Sequence, residues 1–230
     1  MVKLLLWGVD HTLITTGGVG QEIFADCFER VTGQVMTERA PADGMTEPAL
    51  FRRTAELHGL TGDRPMVEAF ARLSAEQHRA RAVELRERGR ALPGAADALA
   101  AVARLGDTVQ SVVSGNIAAV ADAKLTTFGL DTRLRLPLGG YGEDHEERSE
   151  LVRVALQRTR STLDTPLTAE SAVLIGDAPS DVAAGLIHGV RVLAVATGNS
   201  TVAELRDAGA DGVLPDLTDP GALLDALADR

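Results

Sequence analysis

The chain has 230 residues, of which 45% are hydrophobic and 24% charged, with a formal net charge of -10; this balance excludes wholesale disorder and allows one substantial core with an insertion. The negative charge argues against nonspecific nucleic-acid binding, which rests on Lys and Arg neutralising phosphates, and favours a small-molecule partner. Residues 2–9 are too short for a signal peptide and no run reaches the roughly 18 apolar residues of a membrane span, so a cytoplasmic chain with no membrane partner is expected.

Aromatic residues make up only 3%, so the core must come from Ala, Leu and Val, a composition suited to helices packed on a parallel sheet. Apolar runs at 3–9, 108–113, 172–175 and 190–196 alternate with helical segments, which predicts an α/β fold: a doubly wound, Rossmann-like parallel sheet. Residues 133–138 and 212–214 are weaker strand candidates. Between the first two strong strands, residues 21–31, 48–58 and 65–88 repeat apolar positions at three and four spacing. This texture predicts a helical domain, 17–89, inserted into a core made of 1–16 and 90–230.

The joints of that insertion fall in the glycine-rich segments 16–20 and 89–94. Gly17, Gly18 and Gly20 read as a hinge, because they lack the spacing and strand context of a dinucleotide loop. Basic residues between Arg79 and Arg90 alternate with Glu84 and Glu87, the pattern of a solvated helix face. The single cysteine, Cys27, rules out an internal disulfide and lies in an apolar helical pattern, so a buried, inert thiol is expected. A short amphipathic helix over 221–227 closes the sequence.

Chemistry should gather where the strands end, since ligands of open α/β sheets bind beyond the carboxyl ends of the strands. The first strand delivers Asp10, His11 and Thr12; the second delivers Ser114, Gly115 and Asn116; a third delivers Gly176, Asp177 and Asp181. Three separate strands thus bring hydroxyls and carboxylates to one edge. His11 neighbours Asp10 but points the other way on an extended segment, which suggests a structural or substrate-edge role. His145 and His188 have no partners at zinc-ligand spacing.

These residues resemble the motifs of the haloacid dehalogenase superfamily, in its phosphoglycolate phosphatase-like branch with a small helical cap. Asp10 and Thr12 match the end of the Asp-x-Asp-x-Thr motif, Ser114 the hydroxyl after the second strand, and Gly176, Asp177 and Asp181 the Gly-Asp-x-x-x-Asp motif. The resemblance implies Mg²⁺-dependent hydrolysis of a small phosphorylated metabolite. Asp10 would act as general acid and base, while Ser114, Gly115, Asn116 and a cation would hold the phosphoryl oxygens. Asp177 and the Asp10 backbone carbonyl would bind Mg²⁺, with Asp181 orienting its waters. Arg148 is the first candidate for the cation and Lys124 the second.

The sequence departs from the family at its centre. Gly8 stands where the nucleophilic aspartate belongs, so no aspartyl-phosphate can form there and Mg²⁺ should bind more weakly. A phosphatase lineage impaired at position 8, by nature or by engineering, is therefore expected. The alternatives are a non-catalytic phosphometabolite binder and non-phosphoryl chemistry that uses Asp10. In the inserted segment, Met45 occupies a loop where relatives often carry an Arg, which suggests altered substrate choice.

Overall fold

The structure is a computed structural model and describes residues 3–163 and 166–228. The first strand, β1 (Lys3–Trp7), is followed by a two-residue strand, β2 (Ile14–Thr15), and by four helices: α1 (Val19–Thr32), α2 (Glu47–Leu57), α3 (Arg64–Ala80) and α4 (Ala82–Arg88). The chain then returns through β3 (Arg90–Ala91) to α5 (Ala95–Ala103), β4 (Thr108–Ser114), α6 (Ala118–Thr127), β5 (Gly140–Tyr141) and α7 (Arg148–Leu163). It continues as β6 (Ala172–Gly176), α8 (Pro179–Ile187), β7 (Arg191–Val195), α9 (Val202–Asp207), β8 (Gly212–Leu214) and α10 (Pro220–Ala228).

Six of these strands form one parallel sheet in the order β5-β4-β1-β6-β7-β8, with β1 paired between β4 and β6. The side-chain period of two sorts β1 between the faces. Leu5 and Trp7 pack with Leu99, Val102 and Leu223 on one side; Leu4 and Leu6 pack with Leu151, Leu156 and Val182 on the other. Helices cover both faces, which is the doubly wound α/β arrangement. The central strands therefore run as continuous apolar segments and release polar residues only at their ends.

Helices α1 to α4 bury an apolar cluster of their own, including Ile23, Phe24, Cys27, Phe28, Phe51, Phe70 and Leu85. The sheet obeys the aromatic-poor expectation, but the insertion does not. Four of the five phenylalanines lie in this cluster, where the Phe51 and Phe70 rings stack at 4.5 Å and Phe24 meets Phe70 edge-on at 4.9 Å. Burial pushes the Cys27 thiol up to about 12, in keeping with an inert role.

The chain enters and leaves these helices through the antiparallel pair β2–β3, with Ile14 opposite Ala91 and Thr15 opposite Arg90. Gly17 has φ +60°, and a Cβ there would stand 2.1 Å from the Arg88 carbonyl oxygen. Only glycine fits so close an approach. The joint is thus built by backbone packing as well as by backbone freedom.

Three local expectations are corrected. Residues 133–138 are two short 3-10 turns, Asp131–Arg133 and Leu136–Leu138, and the edge strand follows at Gly140–Tyr141. Their leucines imitate strand alternation, but Leu134 and Leu138 reach the interior from a loop. The helical run 65–88 breaks at Arg81 (φ -94°, ψ 20°). Last, the basic stretch is not simply solvated: Arg81 pairs with Glu22, Asp26 and Glu84, and Arg88 with Glu22 and Glu84. These ion pairs tie α1 to α4 and to the break. Among the described residues no helix is long and apolar enough to cross a membrane.

Candidate active site

The carboxyl ends of β1, β4 and β6 lie side by side in the sheet, so the residues that follow them share one edge. The Gly8 N–H extends the ladder by donating to the Ile175 carbonyl at 2.7 Å. The chain then turns sharply. His11 has φ 63°, the single non-glycine residue with positive φ among those described, and its carbonyl accepts from Thr197 Oγ1 at 2.7 Å. A residue held in this sparsely populated region is a feature found at functional turns. The turn sends Asp10 toward β4 and Thr12 toward β6.

On the β4 side, Asp10 joins a network with Ser114, Asn116 and Lys124. Lys124 Nζ lies 3.0 and 2.8 Å from the two Asp10 carboxylate oxygens and 2.8 Å from Asn116 Oδ1. Asn116 Nδ2 donates to Asp10 Oδ2 at 2.6 Å and to Ser114 Oγ at 2.8 Å. Lys124 is only 6% exposed, so its ammonium finds its partners within the protein. Burial pushes the Asp10 carboxyl up, but Lys124 and the Asn116 hydrogen bond outweigh it and hold the group below the usual carboxylate range. Asp10 is therefore an ionised acceptor with both oxygens engaged.

On the β6 side, Thr12 Oγ1 donates to Asp177 Oδ1 at 2.8 Å. Burial, then the neighbouring Asp181 charge, push the Asp177 carboxyl up to about 6. Asp181 itself accepts from Arg148 Nε at 3.0 Å and from the Asp177 and Ala178 backbone N–H groups, each at 3.2 Å. Arg148 also donates a second nitrogen to the same Asp181 oxygen. Its remaining Nη1 flanks Gly115, where an added Cβ would be 3.4 Å away.

The sequence-derived residues thus fall into two clusters. Asp10, Ser114, Asn116 and Lys124 form one; Thr12, Asp177, Asp181 and Arg148 form the other, with Arg148 reaching Gly115 between them. Gly8 lies at the boundary, and a Cβ on it would meet Thr12 Oγ1 at 2.4 Å. Among the described residues no group of three or more His, Cys, Asp or Glu side chains is arranged to hold a metal ion. His11 is exposed, His145 Nδ1 accepts from the Glu147 N–H at 3.0 Å, and His188 lies 3.8 Å from Glu150.

Sequence reasoning missed the side chains that reach this edge from the helical insertion. The loop before α2 descends onto Gly115: the Glu47 N–H donates to the Gly115 carbonyl at 2.7 Å, and a Cβ on Gly115 would be 2.7 Å from the Met45 carbonyl oxygen. Glu47 Oε1 accepts from Ser74 Oγ of α3 at 2.7 Å, and Oε2 accepts from the Ile117 N–H at 3.3 Å. A turn further along α3 lies His78, 2% exposed. The only sequence signal was the loop itself, singled out for Met45 two positions earlier.

The model for haloacid dehalogenase-like hydrolases matches residues 5–185. Among curated proteins no sequence match is found. Solved structures share the fold at low identity. A hydrolase from Pseudomonas syringae is 18% identical with a TM-score of 0.69, covering 100% of both chains. CbbY from Rhodobacter sphaeroides, solved as a mutant with xylulose-(1,5)bisphosphate, is 20% identical with a TM-score of 0.71 over 96% of this chain and 97% of that one. A protein from Haemophilus somnus described as a predicted phosphoglycolate phosphatase is 14% identical with a TM-score of 0.63, over 97% and 98%. With Asp10, Ser114, Asp177 and Asp181 all inside the matched span, the chain belongs to the haloacid dehalogenase-like hydrolase family.

Proposed function

We propose that this chain descends from Mg²⁺-dependent hydrolases of small phosphate esters and retains the phosphate-holding crevice, while its phosphoryl-transfer step is disabled at Gly8. The observation that carries the reading is the Asp10–Lys124–Asn116–Ser114 network beside a position with no side chain. A cation, a hydroxyl and an amide are grouped as a phosphoryl binder requires, yet no carboxylate is available to attack phosphorus. Residues 17–89 act as a cap over a core of 1–16 and 90–230, and the contact of Glu47 with Gly115 is the closed position of that cap.

In this reading a phosphoryl group takes the Lys124 ammonium and the Ser114 hydroxyl as partners, with Arg148 Nη1 approaching from beside Gly115. Asp10, released from Lys124, stands as the proton acceptor and donor for the ester oxygen. Asp177 suits a divalent cation: it is a buried carboxylate whose proton affinity is raised by burial and by the neighbouring Asp181 charge, so an added positive charge would stabilise its ionised form. Asp177 and the Asp10 backbone carbonyl would hold Mg²⁺, which when bound supplies charge neutralisation at phosphate oxygens. Mg²⁺ sites use one or two carboxylates plus ligand oxygens, so the loss at position 8 weakens the metal without abolishing it. The setting proposed is cytoplasmic, with a small phosphorylated metabolite as partner.

The test has two arms. Calorimetry of the chain with inorganic phosphate and Mg²⁺ should show binding at millimolar concentrations or tighter. Gly8→Asp should raise hydrolysis of a panel of phosphate esters by orders of magnitude. Absence of phosphate binding together with background activity in Gly8→Asp would remove the reading.

A further inference from the structure

The cap meets the Asp10 network with acceptors rather than cations. Glu47 opens α2, and both of its carboxylate oxygens are held by neutral donors, the Ser74 hydroxyl and the Ile117 N–H. Glu47 sits close enough to feel the Lys124 and Asp10 charges, and burial pushes its carboxyl up in spite of Lys124 and the two hydrogen bonds. The two cations at this edge are already matched: Lys124 with Asp10, and Arg148 with Asp181. Among the described residues Glu47 thus has no cation of its own.

His78 adds a second acceptor. Its Nδ1 lies 2.8 Å from the Ser74 carbonyl oxygen; a carbonyl can only accept, so Nδ1 carries the proton and Nε2 presents a lone pair. That Nε2 is buried and, among the described residues, has no hydrogen-bond partner. Burial and the Lys124 charge push the imidazole down to about 4, so it stays neutral at physiological pH. A buried acceptor left open is unfavourable, and a donor on a bound molecule would recover that loss. Helix α3 packs on α6 through Ala75, Ile117 and Val120, so His78 and the Ser74 hydroxyl that holds Glu47 ride on the helix that touches the element bearing Lys124.

We propose that Glu47 and His78 read the organic part of the ligand, selecting a phosphate ester of a neutral polyol over one that carries a carboxylate or a second phosphate. This rests on the crevice being a phosphate-ester site and adds the class of ester. Hydroxyl groups can donate to Glu47 and to His78 Nε2. A carboxylate would instead face the Glu47 charge and fill no acceptor, a repulsive element that discriminates as strongly as an attractive one.

Calorimetry with the whole chain and Mg²⁺ separates the possibilities, using inorganic phosphate, sn-glycerol 3-phosphate and 2-phosphoglycolate as probes. Glycerol 3-phosphate should bind about tenfold more tightly than 2-phosphoglycolate, the scale of one moderate polar discrimination. Glu47→Gln should bring the two close to parity. His78→Phe, or His78→Gln should the aromatic variant fail to fold, should weaken glycerol 3-phosphate several-fold and leave inorganic phosphate unchanged. Equal or tighter binding of 2-phosphoglycolate by the unaltered chain, or a preference that Glu47→Gln does not move, would overturn the assignment. Failure of inorganic phosphate itself to bind overturns the crevice reading, and the selectivity falls with it.

Discussion

A Cβ on Gly8 would stand 2.4 Å from Thr12 Oγ1, the hydroxyl that donates to Asp177. Gly8 has no left-handed backbone that would reject a side chain; the obstacle is the position of Thr12. Restoring an aspartate must therefore turn Thr12 and disturb its bond to Asp177. Gly8→Asp should cost about 1–3 kcal/mol in denaturant unfolding, the usual range for overpacking. Adding Thr12→Ser, whose hydroxyl rotates more freely, should recover part of that loss. A Gly8→Asp protein as stable as its parent would show that the space is already open.

Removing Lys124 leaves the Asp10 carboxylate without its counter-charge. Lys124→Met should destabilise the protein by about 1–3 kcal/mol, allowing for the solvent that reaches the half-buried Asp10. The double change Lys124→Met with Asp10→Asn should recover much of this, since no unpaired charge then remains. Chemical denaturation of the four proteins in the cycle gives the coupling directly.

Asp177 sets a pH dependence of definite sign. Its folded pKa of about 6 lies above the ordinary 3.8, so the folded state favours the neutral carboxyl. That contribution is complete below about pH 4 and is lost as pH rises through 6. The penalty above pH 7 is about 3 kcal/mol at 1.36 kcal/mol per unit. Asp177→Asn should therefore raise the thermal midpoint at pH 7.5 and change it little at pH 4. Mg²⁺ should stabilise the unaltered chain more at pH 7.5 than at pH 5, where protons compete for the same oxygen atoms. Equal Mg²⁺ effects at both pH values would remove Asp177 from the proposed metal site.

Cys27 is fully buried, and its thiol is pushed up to about 12. It should resist a maleimide or an aromatic disulfide in native buffer and react at once in denaturant. Labelling of the native protein at the rate of a free thiol would mean that the α1–α4 cluster opens readily.

The sheet was legible because its strands are short apolar runs closed by polar residues, as in Leu4 to Trp7 before Asp10 and Ile175 before Asp177. Residues 133–138 misled because Leu134, Leu136 and Leu138 alternate like a strand, although Pro137 and two tight turns keep them out of the ladder. The break at Arg81 has no glycine or proline to announce it. It depends on acidic partners, Glu22 and Asp26, more than 50 positions away. Of the site, Asp10, Thr12, Ser114 and Asp177 could be placed because strand ends point them to one edge. Whether Lys124 or Arg148 faces Asp10 depends on how α6 and α7 seat against the sheet, which no local pattern encodes. Glu47 and His78 lie further still from such a pattern, since they matter only where the insertion touches the core.

The segregation of side chains between the two parts has an experimental consequence. The single tryptophan, Trp7, is buried in β1, where its indole N–H donates to Gln110 Oε1 at 3.1 Å, while the single thiol lies among the phenylalanines of the inserted helices. Indole emission and thiol labelling are therefore separate native reporters, one for each layer. Followed together through a denaturant series, they tell whether the sheet and the helices above it melt as one cooperative body or part company first, with no label introduced.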